Sequence, residues 1–243
     1  MPSWRAILHF PALAVLIAAA PTAKAGEPRA VIELFTSQGC SSCPPADELF
    51  EKMAGEPDVI TLSLPVDYWD RLGWKDTFAK HAFTERQKAY AVTRNDAQVY
   101  TPQAVVNGTQ HAVGSQRSAI DRAIANSSAN LRVPVSAKRT GDDIIVSIGA
   151  AGDNAGGRGT VVLMPILGAR EVAIGRGENA RRKVTYTNIV RDIVPLGEWN
   201  GRALDLKVPA AQFAGHDGVV VLLQSGTIDR PGAILGAART TLR

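Results

Sequence analysis

The sequence has few of the features that mark several classes of protein. It contains only two cysteines in 243 residues, too few for a small scaffold held together by disulfides. Aromatic residues make up only 6%, but 45% of the residues are apolar, enough for a packed core and too many for a disordered chain. The net charge is only +4 and the positive residues form no long run, so the composition does not favour nucleic-acid binding.

Beyond residue 25 the sequence has no apolar run long enough to span a bilayer. The longest such run covers residues 6–20, follows Arg5 and precedes the small residues Ala23 and Ala25. This arrangement is typical of a secretory signal peptide at residues 1–25, with an uncleaved anchor as the alternative. We therefore expect a periplasmic or secreted protein without stable membrane insertion, in a compartment where disulfides form.

The polar stretch 126–130 separates two regions of different pattern. Residues 26–130 alternate between strand-like and helix-like patterns, which predicts an α/β domain. Residues 131–243 contain nine short β-like runs separated by Gly, Pro and Asp, which predicts an antiparallel β-sandwich-like domain. The second region shows no nucleophile–base arrangement, phosphate-binding loop or cluster of metal ligands. Its scattered arginines between residues 170 and 191 indicate either an anion or lipid-headgroup site or a solvated strand face.

The first region opens with a strand, a cysteine motif and a helix. Residues 30–35 are strand formers, and Cys40-Ser41-Ser42-Cys43 follows after a Ser-Gln-Gly turn. Apolar residues behind the motif recur at helical spacing, and a second strand is predicted at 59–64. The predicted elements that follow are a helix that begins at Thr84 with a capping box, a strand after Thr101-Pro102, a hairpin at Asn-Gly, a returning strand and a closing helix.

This order of elements resembles thioredoxin-like proteins over residues 29–126. The resemblance depends on a CxxC motif between strand and helix and on a proline that opens a later strand. Residues 31–47 are similar, more narrowly, to the signature of a secreted thioredoxin-like bacterial family known only as a domain of unknown function (DUF1223). The resemblance implies an exported thiol-disulfide oxidoreductase, but it supplies no substrate.

The position of the CxxC motif favours redox chemistry over structural stapling. Closing so short a loop removes only about 2 kcal/mol of unfolded-state entropy, so this disulfide would stabilise the fold less than one that closes a long loop. A helix N-terminus favours thiolate over thiol, so we expect Cys40 to be the exposed attacking thiol and Cys43 the resolving partner. Ser41 and Ser42 lie between them as hydrogen-bond donors to a thiolate or as helix caps. The pair would act on protein or small-molecule thiols, without a cofactor or metal, and would need a further redox partner.

Two alternatives stay open at this stage. The first is a non-catalytic binding module of the same fold with a static disulfide. The second is a copper-handling chaperone, which would need a histidine such as His81 or His111 beside the cysteines.

Five further residues are candidates for the same site. The resemblance implies that Pro102 follows a cis bond and lies against the CxxC motif, with the Thr101 backbone free to pair with a client; the alternative is an ordinary proline at a strand start. Trp69 and Trp74 either line a groove beside Cys40 or pack an insertion onto the core. Glu33 assists proton transfer if its side chain points inward, and is otherwise an exposed strand carboxylate.

Overall fold

The computed structural model describes residues 27–152 and 157–242. The predicted signal peptide therefore lies outside the described residues. Within them, no helix combines the length and apolar character needed to cross a bilayer. The first half contains four strands and three α-helices, in chain order β1 (Ala30–Thr36), α1 (Pro44–Met53), β2 (Val59–Pro65), α2 (His81–Arg94), β3 (Gln103–Val106), β4 (Gln110–Val113) and α3 (Arg117–Ser127).

The second half is built from ten strands. In chain order they are β5 (Val135–Thr140), β6 (Asp143–Ile148), β7 (Gly159–Leu167), β8 (Arg170–Ala173), β9 (Lys183–Tyr186), β10 (Ile189–Val190), β11 (Val194–Trp199), β12 (Leu204–Pro209), β13 (Gly218–Thr227) and β14 (Arg230–Thr241). All nine predicted β segments are present. The segment that was expected to start at Ile189 is divided between β10 and β11.

Strands of both halves form one mixed, mostly antiparallel sheet of nine strands. Its order is β14-β13-β7-β10-β2-β1-β3-β4, and β11 pairs with β7 off this path. The β1–β2 pair is parallel, and β3 runs antiparallel to β1. Because β1 covers only one edge of β2, the short strand β10 pairs with the other edge at Ser63 and joins β7 on its far side. The C-terminal half is therefore not a self-contained sandwich, and the division at residue 130 stays a prediction.

Both faces of this sheet are covered. Alternate residues of β1 point to opposite faces, so Ile32 and Leu34 pack with α1 and α3, whereas Val31 and Phe35 pack on the face that α2 covers. A second sheet, β12-β6-β5, packs on the C-terminal strands through Val161, Leu163 and their neighbours. At this end of the molecule the strands are antiparallel and two sheets are in contact.

One helix boundary differs from the sequence prediction. Helix α2 begins at His81, with Lys80 as an N-cap that makes no side-chain hydrogen bond, and not at Thr84. The Thr84 hydroxyl donates instead to Asp67 Oδ1, at 2.5 Å. The Thr-x-x-Gln pattern thus lies inside the helix, and the Thr84 hydroxyl oxygen accepts from the backbone amide of Asp67 at 3.2 Å in place of the amide that a capping box would supply.

A buried ion pair connects the two halves. Arg86 of α2 donates from Nε to Glu33 Oε1 of β1 at 2.6 Å and from Nη2 to Gln224 Oε1 of β13 at 2.9 Å. The Tyr90 hydroxyl also donates to Glu33, and Gln224 donates to that hydroxyl at 2.8 Å. Glu33 is fully buried and Arg86 is 4% exposed, so this network has little access to water.

We expect Arg86→Met to lower the free energy of unfolding by about 3–5 kcal/mol, because Glu33 would keep a buried charge without its partner. The matched control is Arg117→Met, which removes exposed ion pairs to Asp121 and Glu56 and should cost under about 1 kcal/mol. Urea unfolding at pH 7 measures both values. Equal losses in the two variants would show that the buried network contributes no more than a surface pair.

Candidate disulfide site

Cys40 and Cys43 form a disulfide between the end of β1 and the start of α1, and their Cα atoms are 5.4 Å apart. Cys43 is the N-cap residue of α1, so the bridge lies at the helix N-terminus, as the sequence predicts. The turn is held by backbone hydrogen bonds from Cys40 to Ser37 (3.1 Å) and from Cys43 to Cys40 (3.2 Å). The disulfide is thus fixed both to the sheet and to the helix.

The first turn of α1 offers few free donors to a thiolate. Pro44 and Pro45 occupy its first two positions and have no N–H group, and the amides of Ala46 and Asp47 donate back to the Cys43 carbonyl, at 2.8 and 3.1 Å. The helix dipole still favours negative charge here. Hydrogen bonds that stabilise a Cys40 thiolate must therefore come from outside the first turn of α1. The Ser42 hydroxyl lies 3.5 Å from Cys40 Sγ and is in position to donate one.

The expected exposure of Cys40 is wrong for this conformation. Cys40 is 1% exposed and Cys43 is fully buried, whereas Ser41 and Ser42 between them are exposed. The N-terminal position of a cysteine on a helix therefore does not by itself make it accessible. The covering residues come from distant parts of the chain.

The loop before β3 lies against the cysteine turn. The Thr101–Pro102 peptide bond is cis, as the resemblance implied. The Ser42 hydroxyl lies 3.5 Å from the Thr101 carbonyl oxygen as well as from Cys40 Sγ, and the Trp69 indole N–H donates to Thr101 Oγ1 at 2.8 Å. The structure thus brings together four candidate residues: Cys40, Ser42, Thr101 and Trp69.

Gly39 and Trp69 are in close contact. A Cβ atom on Gly39 would lie 3.1 Å from the Cβ of Trp69. Any larger residue before Cys40 would therefore push Trp69 away from Thr101. This contact explains why glycine stands directly before Cys40.

Trp74 is not part of this group. Its indole N–H donates to the Gln38 side chain at 2.9 Å, and its ring packs against Gly175, where a Cβ would meet it at 3.1 Å. Gln38 is fully buried and also donates through its side chain to Thr77 at 2.9 Å. Of the two roles open for Trp74, the structure shows packing of an insertion onto the core.

Glu33 points inward but faces away from the disulfide. It lies on the α2 face of β1, in the ion pair with Arg86, whereas α1 packs on the opposite face of that strand. The acid that lies near the cysteines is Asp47, one turn beyond Cys43 on α1. The sequence suggests for Asp47 only a favourable charge at the helix N-terminus, and nothing in the local pattern indicates its burial.

Asp47 and Asp76 form a buried acidic pair behind the disulfide turn. Each is 3% exposed; Thr36 donates to Asp47 Oδ1 at 2.8 Å, and the Gln38 amide donates to Asp76 Oδ2 at 2.8 Å. Burial raises the pKa of Asp47 well above its usual range; the Thr36 hydrogen bond opposes this rise, and the Asp76 charge adds to it. Burial likewise raises the pKa of Asp76 to about 6, against the hydrogen bonds it accepts from backbone amides.

Tyr186 of β9 shares this environment. Burial raises the pKa of its phenol, and the charges of Asp47 and Asp76 raise it further. Among the described residues, nothing forms a hydrogen bond with the Tyr186 hydroxyl or with Asp47 Oδ2, although both are buried. The raised pKa lets Asp47 keep its proton to a higher pH than an ordinary aspartate does, which lessens its repulsion of a thiolate one turn away.

Asn179, from the loop between β8 and β9, completes the site. It is fully buried, and its Nδ2 donates to the carbonyl oxygens of Gln38 (3.0 Å) and Cys40 (2.7 Å). No motif in the sequence indicates this contact, because Asn179 lies 139 residues from Cys40 in a glycine- and arginine-rich loop.

The histidines that a copper site would need are engaged elsewhere. His81 Nδ1 lies 3.0 Å from Asp67, and His111 Nδ1 lies 2.9 Å from the Tyr100 hydroxyl. Across the described ranges, no three His, Cys, Asp or Glu side chains converge in a way that could hold a metal ion.

The fold and the site define a mixed α/β protein with a disulfide across a CxxC turn. Residues 31–224 match the family model for proteins of unknown function (DUF1223), and the chain belongs to this family. It is similar to an Agrobacterium tumefaciens protein whose crystal structure was determined by a structural genomics consortium. The two are 38% identical with a TM-score of 0.79, over 90% of this chain and 96% of that one. No match was found among curated proteins.

We expect Asp47→Asn to change how stability depends on pH. Because the folded state holds the Asp47 proton more tightly than the unfolded state does, ionisation of the unfolded chain above about pH 4 makes wild-type folding progressively less favourable. The variant lacks this penalty, so its stability relative to wild type should rise by up to about 1.4 kcal/mol per pH unit until the folded carboxyl ionises.

Urea midpoints between pH 4 and pH 8 measure this difference. The control is Asp205→Asn at an exposed position, which should follow the wild-type curve. If Asp47→Asn also runs parallel to wild type, Asp47 has an ordinary pKa in the folded protein.

Proposed function

We propose that this protein is an exported thiol-disulfide oxidoreductase that acts through Cys40 and Cys43. One observation carries the proposal: the disulfide spans a CxxC turn at a helix N-terminus, and the Ser42 hydroxyl lies 3.5 Å from both Cys40 Sγ and the carbonyl that precedes the cis proline. A structural bridge needs neither the helix N-terminus nor a polar group beside one sulfur. Both favour a thiolate at Cys40.

The proposal includes a thioredoxin-like first half. Its support is the order β1-α1-β2-α2-β3-β4-α3, in which β2 pairs parallel to β1 and β3 and β4 follow antiparallel on its other side. The cis bond at Thr101–Pro102 stands between α2 and β3. Export to the periplasm or beyond is supported by the leader-like pattern of residues 1–25.

The exchange chemistry is balanced within the cysteine pair and its client. A client thiolate attacks Cys40 Sγ, the disulfide breaks, and Cys43 leaves as a thiolate that takes up a proton. The second client thiolate then attacks the client sulfur of the mixed disulfide and releases Cys40. Two electrons and two protons pass to the cysteine pair, and a disulfide-bearing partner must reoxidise it. A client disulfide reverses these steps.

The polar groups around the sulfurs fit this exchange. The Ser42 hydroxyl is in position to donate to a Cys40 thiolate, and the raised pKa of Asp47 lessens the repulsion between its carboxyl and that thiolate. Trp69 holds Thr101 beside the cysteine turn, so the exposed backbone near Ser42 presents an edge to an extended client.

A second candidate function is a binding module with a static disulfide. The burial of both cysteines favours this candidate, because a sulfur that no thiolate reaches cannot exchange. The two candidates differ in one measurable property, the reactivity of the folded disulfide.

We expect Cys43→Ala to accumulate a mixed disulfide with oxidised glutathione through Cys40, because the variant lacks the thiol that would expel the adduct. Cys40→Ala is the control, and it should remain unmodified because Cys40 is the proposed attacking thiol and Cys43 only resolves the adduct. Mass spectrometry of the folded proteins detects the adduct. If Cys43→Ala forms no adduct even on prolonged incubation or with Asn179→Ala added, and wild type resists dithiothreitol until it unfolds, the static-disulfide function is correct.

A further inference from the structure

The loop between β8 and β9 lies across the disulfide turn. Asn179 donates from Nδ2 to the carbonyl oxygens of Gln38 and Cys40 at 3.0 and 2.7 Å. These two carbonyls flank Gly39, so the contact spans the chain that leads into the disulfide. A loop from the C-terminal half thus contributes to the burial of Cys40.

One buried side chain, that of Asn179, anchors the tip of this loop, and Gly177 lies against Trp74. We define the cover loop as residues 175–182; within it Asn179 is buried and every other residue is exposed. The base is firmer, because Ile174 is 1% exposed and exchanges backbone hydrogen bonds with Arg181 (2.8 Å) and Arg182 (2.9 Å). The tip can therefore lift by breaking the two Asn179 bonds while the base and the β8–β9 pair stay in place.

The closed position leaves one polar atom without a partner. Among the described residues, no group donates to Asn179 Oδ1, although this atom is buried. A buried carbonyl oxygen without a donor opposes closure. The closed loop is therefore easier to open than a fully satisfied one.

The exposed surface of the cover loop is basic. It contains three arginines, Arg176, Arg181 and Arg182, and one acidic residue, Glu178. The adjoining strands neutralise their charges, since Lys183 pairs with Glu171 at 3.1 Å and Arg170 with Asp217 at 2.7 Å. Within the described part of the chain, the three arginines of the cover loop have no such acidic partner. Unpaired guanidinium groups on an exposed loop attract carboxylates.

We propose that the cover loop selects the client of the disulfide: closed, it excludes general thiols, and its arginines bind an acidic protein segment whose docking draws Asn179 away from Cys40. This inference deepens the proposed oxidoreductase function and depends on it. It also resolves the conflict between exchange chemistry and the burial of Cys40. The client it names is a thiol or disulfide flanked by Asp or Glu.

Three small thiols of different charge test the inference on the full folded protein. They are neutral 2-mercaptoethanol, anionic 2-mercaptoethanesulfonate and cationic cysteamine. In each reaction two thiols become one disulfide and the protein disulfide becomes two thiols, counted by alkylation and mass spectrometry. Comparing variant with wild type for each reagent cancels the different reactivities of the thiols themselves.

Asn179→Ala should accelerate reduction by all three thiols by the same factor, about tenfold, because it removes the two hydrogen bonds that hold the loop. The increase should appear without added urea and change little at low urea concentrations, as local opening exposes little surface. Two results would contradict the proposal that the cover loop restricts access to the disulfide. The reduction rates of wild type and Asn179→Ala could be equal, or both could rise with urea as steeply as global unfolding does.

Neutralising the arginines should change selectivity and not general access. In Arg176→Gln/Arg181→Gln/Arg182→Gln, we expect the sulfonate thiol to react about threefold to tenfold more slowly at low salt and cysteamine to react faster, with 2-mercaptoethanol unchanged. The control neutralises three exposed arginines elsewhere: Arg122, Arg132 and Arg202. If both triple variants behave alike, the cover loop does not select acidic clients.

The inference and the proposed function can fail separately. Suppose that Asn179→Ala speeds reduction of the disulfide by thiols but Cys43→Ala/Asn179→Ala captures no oxidised glutathione. The cover loop then restricts access to the disulfide, and the oxidoreductase function is wrong. If the single variant Cys43→Ala captures glutathione as readily as the double variant Cys43→Ala/Asn179→Ala does, the function stands and the cover is wrong. Should Asn179→Ala lower the urea midpoint, the exposed arginine variants still decide the selectivity.

Discussion

The junction between β2 and β10 determines where the C-terminal half meets the disulfide. Ser63 donates through its amide to the Asn188 carbonyl (3.0 Å) and through its hydroxyl to the Thr187 carbonyl (2.8 Å), and the Asn188 side chain donates to Thr61 at 3.1 Å. Tyr186, the last residue of β9, directly precedes this contact. The junction therefore fixes the β8–β9 pair over α1 and places Tyr186 and Asn179 behind the cysteine turn.

The electrostatics of the site depend on the same junction. The buried acids would be expected to weaken a thiolate near the helix N-terminus, but desolvation raises the pKa of both. Pro44 and Pro45 remove the N–H groups that most helix N-termini offer to an anion. The helix dipole and the Ser42 hydroxyl are then the favourable influences on Cys40. The surrounding polar groups make the site dry and weakly charged, and not strongly cationic.

Local sequence patterns were sufficient for the order of the elements, the cysteine turn and the nine β segments, because strand and helix periodicities act over a few residues. They could not show that β10 joins β2, since pairing between distant strands leaves no local pattern. For the same reason they missed Asn179 and the burial of Asp47. Glu33 and Trp74 were predicted to belong to the cysteine site, but tertiary partners, Arg86 and Gln38, give them structural roles.

Access to the disulfide and its redox potential are separate properties in this architecture. A loop that closes equally well over the disulfide and the dithiol slows reduction and reoxidation equally, and it then leaves the equilibrium between the two forms unchanged. That equilibrium depends on what stabilises the thiolate or the thiol, namely Ser42, the α1 dipole and Asp47, all in the N-terminal half. Access depends on Asn179 and its loop, from the C-terminal half. Substitutions in the cover loop can therefore change which thiols reach the site without changing its potential.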